Sequence, residues 1–257
     1  MSAAAPTPAS APSRPLLECV EVEMRFGGVH ALAGLSLAVE RGEIVGLVGP
    51  NGSGKSTLIN ILSGVHRPTA GEVRLDGHRI DRVSPHVRSH RGIARTHQIP
   101  KPFASMTVRD NVAIACMFGQ VSQSVAEARR RAAEYLEVVG LSARADALPE
   151  EINLHQRLLL ELARALATQP TLLLLDEVLA GLNPAELDEA VTVLRRIHEG
   201  GATIVMVEHL MRVVTGIATR IVVLDRGTKL ADAAPDTVMN DAAVQQAYLG
   251  REHRARG

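Results

Sequence analysis

Two stretches of this sequence carry residues whose types and spacing could do chemistry. The first is Gly49-Pro50-Asn51-Gly52-Ser53-Gly54-Lys55-Ser56-Thr57. It fits the pattern G-x-x-x-x-G-K-[ST], and each part of the pattern has a physical reason. Glycines let the backbone wrap a phosphate with its N–H groups turned inward, where side chains would obstruct the approach. A helix beginning near Lys55 aims the positive end of its dipole at the same anion. Lys55 is then expected to reach the β- and γ-phosphates of ATP, and the Ser56 hydroxyl to ligate Mg2+. The second stretch is Leu172-Leu173-Leu174-Leu175-Asp176-Glu177, an aliphatic run ending in two acids. A carboxylate at the C-terminal end of a strand sits where open α/β sheets bind ligands. Asp176 is read as the carboxylate that holds Mg2+ through water. Glu177 is read as the group that orients or deprotonates an attacking water.

These residues need elements to position them. Glu43 to Val48 is an apolar run that stops at the glycine loop, and Lys55 to Leu62 has helical composition. Strand, glycine loop and helix form the first half of a nucleotide-binding unit. Upstream, Leu17 to Met24 and Leu35 to Val39 read as strands. Glu72 to Leu75 and His78 to Ile80 read as a hairpin about Asp76-Gly77. From about Gln98 to Thr168 the texture turns helical, with helices expected at Ala126 to Val139, stopped by Gly140, and at Gln156 to Thr168. Strands return at Leu172 to Leu175, Thr203 to Val207 and Ile221 to Leu224, with a helix at Glu186 to Glu199. The expected fold is α/β: a mostly parallel sheet, an antiparallel β subdomain and an inserted α-helical lobe. The expected boundaries are a disordered tail over 1–15, an ATP-binding domain over 16–250 with its lobe over about 98–168, and a short tail over 251–257.

Composition agrees. Apolar residues make up 46% of the 257, yet Phe, Tyr and Trp together reach only 2%. The core must be aliphatic, as buried parallel strands are. Formal net charge is zero, which argues against a nucleic-acid partner. Cys19 and Cys116 lack metal-ligand spacing and read as buried reduced thiols. The longest wholly apolar runs are of strand length, far short of the ~20 residues that a membrane-crossing helix needs. Work at a membrane would require another chain to hold this one there.

The two motifs, with others in fixed order, resemble the ATP-binding subunits of ABC transporters, from about Leu16 to Gly250. The resemblance implies roles for three further residues. Phe26, in Arg25-Phe26-Gly27-Gly28, matches the aromatic that stacks on adenine. Gln98 matches the glutamine that contacts metal and water and senses the membrane partner. His209 matches the histidine that contacts the γ-phosphate, and its strand is predicted to neighbour that of Asp176. The run Ala180-Gly181-Leu182-Asn183-Pro184 and the ending Ala247-Tyr248-Leu249-Gly250 resemble the branched-chain amino-acid (and urea) uptake ATPases. A lipopolysaccharide-export ATPase is also similar.

The resemblance implies a function in import of branched-chain amino acids or a related small polar solute. The chain would sit at the cytoplasmic face of the membrane on transmembrane permease subunits, with an external solute-binding protein as a further partner. The segment Lys101 to Asp110, with Phe103 and Met106, is expected to dock on the permease. Two ATP-binding chains would close head to tail, each nucleotide lying between one chain's P-loop and the other's signature helix. The signature departs from the family's Ser-Gly-Gly-Gln-like or Ser-Tyr-Gly-Gln-like run, reading Asn153-Leu154-His155-Gln156. Asn153 and Gln156 still fit a capping box. His155 is expected to put a ring where a glycine backbone would approach the partner's nucleotide, which favours a paralogous partner over a homodimer. Rival readings are a non-transport ABC ATPase and a nucleotide-binding regulatory subunit with weak hydrolysis.

Overall fold

The computed structural model describes residues 14–96, 99–119 and 123–252. In chain order its elements are β1 (Leu17–Phe26), β2 (Val29–Val39), β3 (Ile44–Val48), α1 (Lys55–Leu62), β4 (Ala70–Leu75), β5 (His78–Arg79), α2 (Pro85–His90) and β6 (Ile93–Arg95). Next come α3 (Val108–Met117), α4 (Val125–Val138), α5 (Leu154–Ala167), β7 (Leu172–Asp176), α6 (Pro184–Glu199) and β8 (Thr203–Val207). The chain continues with α7 (Met211–Ile217), β9 (Arg220–Asp225), β10 (Thr228–Ala233), α8 (Pro235–Met239) and α9 (Ala242–Glu252). The last helix ends at Glu252.

Two sheets form. One is antiparallel with order β2-β1-β4-β5, and the other has order β10-β9-β3-β8-β7-β6. In the second, β9, β3, β8, β7 and β6 pair in parallel and β10 closes one edge antiparallel. This is the mixed architecture expected. The parallel strands are buried on both faces, so their alternation decides which side chain enters which core. Leu172 and Leu174 join a core shared with α1 and the antiparallel sheet. Leu173 and Leu175 join a second core, with α3, α4, α5 and α6. The P-loop helix thus lies between the two sheets, anchored by buried Leu58, Ile59, Ile61 and Leu62.

Local chemistry explains the element ends. Asp76 and Gly77 both take positive φ, 51° and 76°, as a two-residue hairpin turn of the I′ kind requires. Asn183 caps α6, accepting from Glu186 N at 3.1 Å, while Pro184 takes the first helical position, where a missing N–H costs nothing. Thr107 caps α3. The β2 strand begins six residues earlier than expected, because pairing with β1 carries it back to Val29 across several register shifts. Elements with no clear pattern in the sequence were α2, β6, α3, α7 and those after β9. Cys19 and Cys116 are free, buried and in different cores. Burial pushes their thiols up to about 12 and about 11, which suppresses thiolate reactivity. No helix among the described residues is long and apolar enough to cross a membrane.

Candidate active site

The glycine loop leaves the C-terminal end of β3 and is moulded by backbone from outside. Gly49 has φ 147°, and a Cβ there would overlap the Leu224 carbonyl. Gly54 has φ 108°, and its Cβ would come within 2.6 Å of the Ala31 carbonyl. Only glycine satisfies both the conformation and the close approach. Gly227 N donates to Ser53 O at 3.0 Å and so pins the loop to the β9–β10 turn. Within the loop, buried Lys55 Nζ donates to Gly49 O at 2.7 Å and Pro50 O at 3.1 Å. Ser53 Oγ is buried with no hydrogen-bond partner among the described residues. Asn51, Gly52 and Ser56 are exposed, and Thr57 is half-buried on the first turn of α1. A glycine cradle, an orphaned hydroxyl, a lysine and a helix start form a donor set that fits a nucleotide's phosphates.

Asp176 ends β7 opposite Val207 of β8, so the acids after β7 lie beside the residues after β8. Glu177 takes φ 52° and donates its backbone N–H to Val207 O at 2.9 Å. This places its carboxylate Oε1 2.7 Å from His209 Nε2. Glu177 and His209, expected at the ends of neighbouring strands, are in direct hydrogen-bond contact. Asp176 Oδ2 accepts from Arg95 Nη2 at 2.8 Å, and Arg95 Nη1 reaches Asn60 Oδ1 at 2.7 Å and Ser63 Oγ at 3.1 Å on α1. Sequence reasoning passed over Arg95, since an arginine ending a three-residue strand carries no pattern. Gln98 lies outside the described residues.

Glu208 was also passed over. It is 3% exposed and accepts the Leu179 N–H at 3.0 Å, tying the segment after Glu177 to the end of β8. Burial raises its carboxyl to about 7. Its ordinary value is near 4.5, so the native state binds more protons than the unfolded state between pH 4.5 and 7. Stability from this group is therefore present below pH 4.5 and is lost as pH rises through 7. Glu208→Gln keeps an acceptor and removes the charge. Urea unfolding is expected to show the variant gaining about 2 kcal/mol on the native chain between pH 5 and pH 8. Parallel stability–pH curves would show that Glu208 titrates as in water.

Phe26 is 44% exposed at the end of β1 and meets the His66 ring edge-on at a centroid distance of 5.4 Å. An exposed ring fits a stacking role better than a core role. At the signature, Asn153 Oδ1 accepts from Gln156 N at 2.8 Å, and Gln156 Oε1 accepts from Asn153 N at 3.2 Å. The capping box forms as expected. The obstruction expected at His155 does not. Its side chain is buried at 6% exposure, with Nδ1 3.8 Å from Glu189 of α6. The ring turns into its own chain, towards α6, and does not stand out from the helix start. Leu154, by contrast, is exposed.

The arrangement can grip a triphosphate and set a water against its terminal phosphorus. Comparison with known proteins agrees. Residues 32–180 match the ABC transporter family, and residues 228–254 match the branched-chain amino acid ATP-binding cassette transporter family. The chain is 37% identical over 252 residues to the high-affinity branched-chain amino acid transport ATP-binding protein BraF of Pseudomonas aeruginosa, covering 93% of this chain and 99% of that one. It is 38% identical over 254 residues to LivG of Escherichia coli, with the same coverage. Among solved structures, the ADP conformation of the ATP-binding cassette MJ1267 superposes with TM-score 0.83 at 29% identity, covering 93% of this chain and all of that one. The dimeric post-hydrolysis cassette MJ0796 with ADP and Pi gives 0.76 at 27% identity, covering 85% of this chain and 98% of that one.

The chain belongs to the ABC transporter family of ATP-binding subunits, the class that its P-loop, paired acids and mixed sheets define. Within that family its relatives place it among the branched-chain amino acid ATP-binding cassettes. It is an ATPase. ATP-binding subunits of such transporters work with transmembrane permease subunits.

Proposed function

We propose that this chain hydrolyses MgATP to drive import of branched-chain amino acids, or a related small polar solute, through permease subunits at the cytoplasmic face of a membrane. The observation that carries it is the convergence of the Lys55 loop, Asp176 and the Glu177–His209 contact at the C-terminal ends of β3, β7 and β8. Ser56 and Asp176, with Gln98, are the residues that would hold Mg2+, which supplies charge neutralisation on the phosphates when bound. Lys55 and the loop amides bind and orient the phosphates, and Phe26 positions the base. Glu177 takes the proton of the attacking water, while His209 fixes the carboxylate and faces the γ-phosphate. The reading of the domain as 16–250 between two tails belongs to this proposal.

A surface near the expected docking segment supports the permease partner. Buried Asn111 holds the turn before α3 in shape, donating to the carbonyls of Phe103, Met106 and Thr107 and accepting the Phe103 N–H. That turn presents Phe103 at 45% exposure, with the Arg164 guanidinium 5.3 Å from its ring centroid. Beside it is a cleft of about 450 Å3 lined by Ser63, Arg95, Lys101, Glu161 and Arg164. A rigid turn with one exposed aromatic beside a cleft suits a helix end from a membrane protein.

The proposal includes a paralogous ATP-binding partner, giving two unequal nucleotide sites, and an external solute-binding protein. Support for unequal sites rests on Asn153. The family's serine hydroxyl is replaced by a longer side chain whose oxygen is committed to its own helix cap. His155 adds no obstruction. The isolated chain is expected to hydrolyse ATP poorly, and Asn153→Ser to raise its rate. His155→Gly should leave the rate unchanged and cost ~2–4 kcal/mol of stability, since it puts glycine in a helix and removes a buried ring. Vigorous hydrolysis by the isolated chain, indifferent to Asn153→Ser, would sink the unequal-site reading. Reconstitution with permeases and a paralogue, assayed for leucine-stimulated turnover, tests the whole proposal.

A further inference from the structure

We infer that Arg95 is a positioning residue for the metal carboxylate: it holds Asp176 by one oxygen and keeps a divalent cation from settling there unless nucleotide brings it. The inference rests on the reading of Asp176 as the metal-holding acid. Arg95 and Asp176 are both largely buried, their side chains 16% and 12% exposed. A full positive charge 2.8 Å from a carboxylate, shielded from solvent, opposes a second cation strongly. The fork has a defined geometry. Nη2 binds Asp176 Oδ2, while Nη1 is fixed by Asn60 Oδ1 and Ser63 Oγ at the end of the P-loop helix. No described residue hydrogen-bonds to Asp176 Oδ1, which leaves that oxygen for a cation.

One guanidinium therefore couples three elements: α1, which follows the phosphate loop, β7, which carries Asp176, and β6, on which Arg95 sits. Arginine suits this place because its planar fork bridges two acceptor sets at once, which an ammonium cannot do with the same geometry. Its charge lowers cation affinity of the empty site. Once nucleotide phosphates add negative charge, the balance reverses and the cation binds. Arg95 thereby sets how much of the metal's binding must come from the nucleotide phosphates, and by linkage the metal strengthens nucleotide binding by the same factor as nucleotide strengthens metal binding.

The test uses Mn2+ as probe, titrated by electron paramagnetic resonance with and without ADP. The native chain is expected to bind Mn2+ weakly alone and tightly with ADP. Arg95→Met should bind Mn2+ without nucleotide about tenfold or more tighter. Arg95→Lys, which keeps the charge, should hold Mn2+ affinity near the native value. Asn60→Ala removes only the half-buried anchor of the fork and should move the same way as Arg95→Met, by less. It keeps the test available if Arg95→Met fails to fold. Folded Arg95→Met or Asn60→Ala with Mn2+ affinity unchanged in the absence of ADP would overturn the inference. Asp176→Asn separates the two levels. If it leaves Mn2+–ADP binding intact, the reading of Asp176 fails; if it abolishes that binding while Arg95→Met changes nothing, only the role of Arg95 fails.

Discussion

Glu177→Gln is expected to leave nucleotide binding intact and to lower turnover by ~10²–10⁴-fold, the usual worth of a positioned general base. The contact with His209 explains why the two effects separate. Glutamine keeps an oxygen that can accept from His209 Nε2, 2.7 Å from Glu177 Oε1 in the native chain, so the local geometry persists. It cannot take a proton from water. The unusual backbone at this residue, φ 52°, is no obstacle, since glutamine tolerates it as well as glutamate does. Lys55→Ala should behave in the opposite way. Its ammonium lies on the carbonyls of Gly49 and Pro50, inside the phosphate loop, so its loss weakens nucleotide binding itself. Single-turnover hydrolysis and equilibrium ATP binding, measured side by side in the assembled transporter, check both. A Glu177→Gln chain that hydrolyses ATP at the native rate would remove this glutamate from the chemistry.

The largest stability effect is expected at Arg88, which has no direct part in the site. Its guanidinium is buried and donates to four carbonyls: Ile61 and Leu62 at the end of α1, Ile80, and Val83. It closes the C-terminal end of the P-loop helix, where carbonyls lack intrahelical donors and the helix dipole is negative. Burial pulls its pKa down to about 10, so the charge persists at neutral pH. Arg88→Met fills similar space and leaves those carbonyls without donors. The expected cost is ~3–5 kcal/mol, a fall of roughly 6–20 °C in Tm for a chain of this size. Calorimetry checks this; a fall under about 2 °C would mean that water or relaxation satisfies the carbonyls.

Residues that act through local pattern were legible in the sequence. The glycine loop between an apolar strand and a helix, the Asp76-Gly77 turn, and the acids closing Leu172 to Leu175 each announce themselves within ten residues. The capping box of Asn153 and Gln156 is equally local. What escaped depends on distance or direction. Arg95 meets Asp176 across 81 positions, and Glu208 meets Leu179 across 29; neither separation leaves a mark on the sequence. Glu208 follows β8 with no local pattern to mark it, yet its side chain is buried. His155 was legible as a residue type, but a residue name does not say which way a ring turns. The β6 strand has three residues, too few to show a period, and exists because β7 offers it an edge to pair with.

The phosphate loop has one further consequence. Its outline is set by Leu224, Ala31 and the Gly227 N–H, groups that belong to other segments of the chain. A binding surface cast in this way has lost its conformational freedom when the chain folds. The arrival of ATP then has little disorder to remove locally, and the free energy of the encounter is not diverted into shaping the loop. It remains for rearrangements at longer range, between this chain and whatever chain faces it. The same rigidity makes the motif a poor travelling part: excised from these three neighbours, the nine residues from Gly49 to Thr57 would have no mould to keep them curled.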